Sequence, residues 1–81
     1  MVERFPPSED WKAFDDSTVI HSAAFDEAAD RIFVRLLRGG IVVFEGCDES
    51  NWRNFTTPGV SRGEYMTNVL ERHSYRRHYG V

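Results

Sequence analysis

Most of what this chain lacks narrows its class. It has one cysteine, Cys47, in 81 residues, so no disulfide can form within the chain and a reducing, cytoplasmic setting is expected. No basic stretch followed by an apolar one opens the sequence, which reads against a signal peptide. The longest wholly aliphatic or aromatic run is the four residues "IVVF", too short to span a bilayer, so no membrane role is expected. Internal repeats and low-complexity tracts are also missing. With only three prolines and six glycines, punctuation is sparse and falls at definite places.

What remains is enough for one small folded domain. Hydrophobic residues make up 41% and aromatics 14%, a balance that favours a globule with its own core over a disordered segment. The net charge is −3, and it is unevenly spread. Residues 1–60 hold six Arg and Lys against eleven Asp and Glu, whereas residues 61–81 hold four Arg against two Glu. Such asymmetry marks a candidate interaction surface.

Residues 1–16 read as an extended lead-in, since Pro6 and Pro7 oppose regular structure. Its aromatics Phe5, Trp11 and Phe14 are expected to pack onto the domain, the other reading being a binding arm. From Ser17 the pattern turns β-like through "STVIHSAAFD". "RIFVRLL" alternates with period two, placing Ile32, Val34 and Leu36 on one face and Phe33, Arg35 and Leu37 on the other. "RGG" suits a tight turn, and "IVVFEG" supplies a third strand with Val42 and Phe44 on one face. Asp48 or Ser50 can cap a helix that carries Trp52 and Phe55 on one side. After "TTPG", Ser61 and Glu64 fit a capping box. The helix that follows carries an apolar stripe through Tyr65, Met66, Val69, Leu70 and His73. The expected fold is α+β: a three-stranded antiparallel β-meander with one face buried beneath two helices, behind an extended N-terminal segment.

The order of these residues resembles the KTSC domain family. The elements that carry the resemblance are Ser17, Ile20, Phe25 and Asp26; Ile32, Val34, Leu36 and Gly39; Trp52 with Phe55; and Ser61, Gly63, Tyr65 and Leu70 leading to Tyr75. The sequence departs from the family at Val42-Val43-Phe44, where a Y-x-Y is usual, and at Cys47-Asp48, where Val-Pro is usual. The resemblance covers residues 17–75, leaving 1–16 as an extension and 76–81 as a basic tail. The family takes its name from an occurrence at the C-terminus of some lysyl-tRNA synthetases and also forms stand-alone bacterial and phage proteins. It implies this same fold and a function that is uncharacterised, with RNA binding suggested.

Catalytic chemistry finds little support. Cys47 has no Cys-x-x-Cys partner and reads as a small apolar filler at a strand end. The acidic pairs Asp15-Asp16 and Asp48-Glu49 read as turn and cap residues. His73 and His78 are five apart, not the i, i+4 spacing that places two imidazoles on one helical face. With His21 and Cys47 they form no metal-binding pattern. No enzyme activity, cofactor, metal or small-molecule substrate is expected. Gly39-Gly40 and Gly63 make no phosphate loop, although the free N–H groups at Ser61 and Arg62 suit a weak anion site.

Two binding functions remain. In the first, Arg72, Arg76 and Arg77 touch RNA phosphates, Tyr75 and Tyr79 stack on bases, and Arg35 extends the surface from the second strand. The acidic first sixty residues oppose that reading. In the alternative, Phe33, Leu37, Phe5 and Trp11 form a surface for a second copy of the chain or for another protein.

Overall fold

The computed structural model describes residues 4–80. Met1–Glu3 and Val81, which belong to the expected extension and tail, lie outside the described residues.

The chain forms an α+β domain whose antiparallel sheet has five strands where three were expected. They are β1 (Lys12–Ala13), β2 (Ile20–Asp26), β3 (Arg31–Leu36), β4 (Ile41–Phe44) and β5 (Tyr75–His78), in the spatial order β1-β2-β3-β4-β5. The two additional strands come from the segment read as extension and from the junction of the expected domain with its tail. A single 3₁₀ turn, Ser8–Asp10, leads into β1. Helices α1 (Glu49–Thr56) and α2 (Arg62–Asn68) fill the interval between β4 and β5.

Local chemistry accounts for the turns. Ser17 Oγ accepts from the backbone N–H groups of Val19 and Ile20 at 3.2 and 3.0 Å, bending the chain into β2. Asp26 Oδ1 accepts from Ala29 N–H at 3.3 Å in the β2–β3 turn. In the β3–β4 hairpin Gly39 and Gly40 hold φ of +98° and +86°, a region costly for any residue with a Cβ. Gly40 has a second role: a Cβ there would sit 3.2 Å from the His78 carbonyl oxygen, so glycine lets β5 lie close to the hairpin.

Helix α1 begins with a reciprocal capping box. Asp48 Oδ1 accepts from Asn51 N–H at 3.0 Å and Asn51 Oδ1 accepts from Asp48 N–H at 3.1 Å. The box expected at Ser61 and Glu64 does not form, because the Ser61 side chain makes no capping hydrogen bond. Helix α2 also stops at Asn68, short of the expected stripe, and Leu70–Arg72 tighten into a 3₁₀ turn. Met66 and Leu70 are still buried, while Tyr65 packs at the core's margin.

The main core lies between the sheet and the helices: Phe14, Ile20, Ala23, Ile32, Val34, Val42, Phe44, Cys47, Phe55, Met66 and Leu70. Trp52 stacks on Phe25 at 5.7 Å with planes 12° apart. A β-bulge at His21 decides who joins this core. The register steps from Ile20 opposite Leu36 to Ser22 opposite Arg35, so the odd residue turns Ile20 to the helix side with Ala23 and Phe25.

The opposite face is closed too, by the lead-in aromatics that were expected to pack onto the domain. Ala24, Phe33, Ile41 and Val43 form a second apolar cluster covered by Phe5 and Trp11. Phe5 meets Phe33 edge-on at 5.9 Å and Trp11 meets it at 6.3 Å. Trp11 Nε1–H donates to the Pro6 carbonyl at 2.9 Å, so the strap also folds on itself. Burying a Phe side chain contributes roughly 1.5–3 kcal/mol, which is why the lead-in packs down. Among the described residues no helix is long and apolar enough to cross a membrane.

Candidate interaction surface

Strand β5 reaches the sheet through long-range pairing with β4: Phe44 lies opposite Tyr75, Val43 opposite Arg76, Val42 opposite Arg77 and Ile41 opposite His78. Residues opposite one another in an antiparallel pair share a face. Tyr75 and Arg77 therefore stand on the helix side with Phe44 and Val42, and Arg76 and His78 stand on the strap side with Val43 and Ile41. The rings of Phe44 and Tyr75 are 5.6 Å apart.

The candidate nucleic-acid residues consequently do not converge. Arg76 Nη1 lies 2.6 Å from Glu45 Oε2, while Arg31 Nε donates to Glu45 Oε1 at 2.8 Å, so one carboxylate ties together β3, the end of β4 and β5. The hydrogen bond from Arg31, and that from Arg76 after the cost of burial is met, hold the Glu45 carboxyl below its ordinary range. Arg35 lies over the Trp11 ring, 5.2 Å from its centroid. His78 meets Phe5 edge-on at 5.2 Å. Arg72 sits exposed in the 3₁₀ turn, Arg77 is exposed on the helix side, and Tyr75 and Tyr79 are 44% and 80% exposed.

The candidate protein surface is largely used by the chain itself. Phe33 is only 1% exposed beneath Phe5 and Trp11. Leu37 alone of that set is open, at 51% exposure, just beyond the end of β3.

What the arrangement leaves open is an edge. Glu45 N–H donates to the Ser74 carbonyl at 2.8 Å, and in an antiparallel ladder bonded pairs alternate with unbonded ones. The register thus points the backbone groups of Ser74, Arg76 and His78 toward β4 and those of Tyr75 and Arg77 away from it. Among the described residues no strand lies beyond β5. Next to this edge is a groove of about 240 Å³ lined by Leu36, Arg38, Gly40, Arg77, His78 and Tyr79, among others, with no Asp or Glu in its wall. Arg38 did not figure among the sequence candidates. Its relevance comes only from the hairpin that carries it to Arg77.

Other chemistry-bearing groups serve the fold. Cys47 is fully buried, and its thiol donates to the Glu45 carbonyl at 3.6 Å. Burial, reinforced by the charges of Asp48, Glu45 and Asp30, pushes its pKa up to about 11. His21 is hydrogen-bonded to Ser22 Oγ at 2.9 Å. Among the described residues no three His, Cys, Asp or Glu side chains cluster as metal ligands. Arg62, read from sequence as part of an open helix start, is turned inward at 6% exposure. Its guanidinium covers Phe14 at 4.2 Å, donates to the Val60 carbonyl at 3.1 Å and lies 3.5 Å from Asp16 Oδ2. It is a core-edge residue whose charge is turned toward Asp16.

No protein-family model matches the chain, and no curated protein matches it.

Proposed function

We propose that this domain is a non-catalytic, KTSC-like interaction module that receives an extended segment of another protein as an added strand along β5. The observation that carries this reading is the outward-facing backbone of Tyr75 and Arg77 at the sheet's edge. Main-chain groups there offer a ladder to an incoming strand, and side-chain alternation supplies selectivity. The KTSC resemblance, which spans the meander and both helices, supports a stand-alone or appended binding role. RNA recognition fares less well on this geometry. Both faces of the sheet are covered, leaving only the separate rings of Tyr75 and Tyr79 open to bases, and Arg76 and Arg77 stand on opposite sides of it.

The edge can be blocked without disturbing the fold. Proline at position 77 removes an N–H that faces away from β4, a position an edge strand tolerates. An array of immobilised extended peptides, probed with the full chain, should retain it at a subset of spots. The Arg77→Pro variant, folded by circular dichroism, should lose them. Equal retention of the variant would sink the proposal, as would binding to single-stranded RNA with no peptide retained.

A further inference from the structure

Resting on that edge reading, we propose that the segment β5 accepts is acidic, with a carboxylate side chain set beside Arg77 and an apolar or aromatic side chain two residues away against Tyr75.

The charge around the edge points one way. Strand β5 and its flanks, Ser74 to Tyr79, contain two arginines and a histidine and no acid. Arg76 is engaged by Glu45 on the strap side, but Arg77, Arg38 and Arg72 form no ion pair with any described residue. Arg38 and Arg77 both line the groove at the hairpin end of β5, whose wall holds no carboxylate. In a chain with net charge −3, Arg38 and Arg77 thus leave unneutralised positive charge beside the open edge.

Geometry turns that charge into a pattern. Tyr75 and Arg77 share the helix-side face at a spacing of two. An added strand has the same period, so its side chains on that face alternate likewise. The residue opposite Arg77 meets a guanidinium and favours Asp or Glu. Its neighbour two residues along meets the half-exposed Tyr75 ring and favours an apolar or aromatic side chain. The intervening residues face the strap side.

The same charges argue against a second copy as the occupant. Antiparallel self-pairing about the centre of β5 would set Arg76 against Arg76 or Arg77 against Arg77, because outward-facing residues pair only with outward-facing ones, and parallel pairing would set Arg77 of one copy against Arg76 or His78 of the other. Like charges directly opposite are destabilising. A short phosphate-bearing strand would satisfy the arginines but not the outward N–H and C=O groups, which a peptide backbone matches in pairs.

The test uses the full chain and fluorescence anisotropy with short labelled peptides of alternating Thr and Val carrying Glu, Gln or Lys at the centre, alongside labelled oligouridine. At low salt the Glu peptide should bind about threefold to fivefold tighter than the Gln peptide, with Lys weakest. That advantage should vanish in Arg77→Gln, which keeps the backbone N–H, and shrink as salt is raised. Arg77→Pro should abolish binding of every peptide. Equal affinity for Glu and Gln peptides, both lost in Arg77→Pro, overturns the acidic preference and leaves the edge reading standing. Binding that persists in Arg77→Pro, or an absence of peptide binding, overturns both. Oligouridine binding lost in Arg77→Gln, without competition by the Glu peptide, assigns the arginine to nucleic acid and likewise overturns the inference.

Discussion

Arg76 and Arg77 are neighbours in sequence and stand on opposite faces of the sheet. Arg76 pairs with Glu45 at 2.6 Å, while Arg77 lies across from Val42 on the helix side without an ion pair among the described residues. One adjacent pair of identical residues thus divides into a structural member and an available one. The pleat of β5 alone makes the division.

Thermal unfolding should separate the two. Arg76→Gln loosens β5 from β4 and should cost about 1 kcal/mol, since the pair is half-exposed and solvent-screened. In a domain this size that corresponds to a fall in Tm of about 4–8 °C, diminishing in high salt. Arg77→Gln should leave Tm within about 2 °C of the parent. Equal losses for both variants would contradict the division of roles.

The Glu45 clamp predicts an acid-side dependence. Its folded pKa lies below the ordinary carboxylate value of 4.5, so the unfolded chain takes up this proton first as pH falls. The clamp's contribution is therefore complete above pH 4.5 and is lost as pH drops through the lower folded value. Glu45→Gln should cost about 1–2 kcal/mol at neutral pH. In urea titrations below pH 4.5 it should show a shallower decline in stability than the parent. An unchanged acid slope would show that other carboxylates dominate.

Removing the strap's aromatic anchor should expose the second cluster. Trp11→Ala uncovers Phe33 and strands Arg35 without its ring partner. Half-buried as Trp11 is, the loss should be about 2 kcal/mol, below the range for fully buried aromatics. Enhanced fluorescence of a hydrophobic dye should accompany it. Trp11→Phe should restore part of the stability, because it keeps a ring against Phe33 while giving up the hydrogen bond to Pro6 and some of the covered area. Dye binding at the parental level in Trp11→Ala would mean that the strap is not what covers Phe33.

Cys47 should be chemically quiet in the folded chain. A thiol with its pKa pushed up to about 11 from 9.0 has a thiolate population at pH 8 on the order of 100-fold below that of the unfolded chain. Burial slows access further. Alkylation by iodoacetamide, followed by mass spectrometry, should be slower in buffer than in denaturant by at least that factor. Comparable rates would indicate frequent opening of the loop after β4.

Much of the fold was legible because its signals are local. The period of two in Ile32–Leu36, the glycines of the hairpin, the Asp48 cap and the Trp52–Phe55 spacing each act within a few residues, where backbone preference and side-chain reach suffice. Some of the residues that carry the KTSC resemblance occupy such positions: Ser17 and Asp26 close turns and Gly39 takes a left-handed conformation. The candidate site was legible only in composition. "SYRRHYGV" announced charge and aromatics, but the four residues of β5, Tyr-Arg-Arg-His, have no apolar face by which to read them as a strand.

By itself, then, the amino-acid order determined the three-strand meander, the two helices, the turn chemistry and the basic character of the C-terminal segment. Tertiary structure decided which elements met across long sequence separations. It drew β5 against β4, added β1, turned Ile20 inward through a bulge, folded Phe5 and Trp11 over Phe33, and sent Arg76 and Arg77 to opposite sides. Those outcomes depend on which apolar surface remains to be covered and which backbone groups remain to be paired once the local elements exist. No stretch of sequence states that, because the partners are supplied by the rest of the fold.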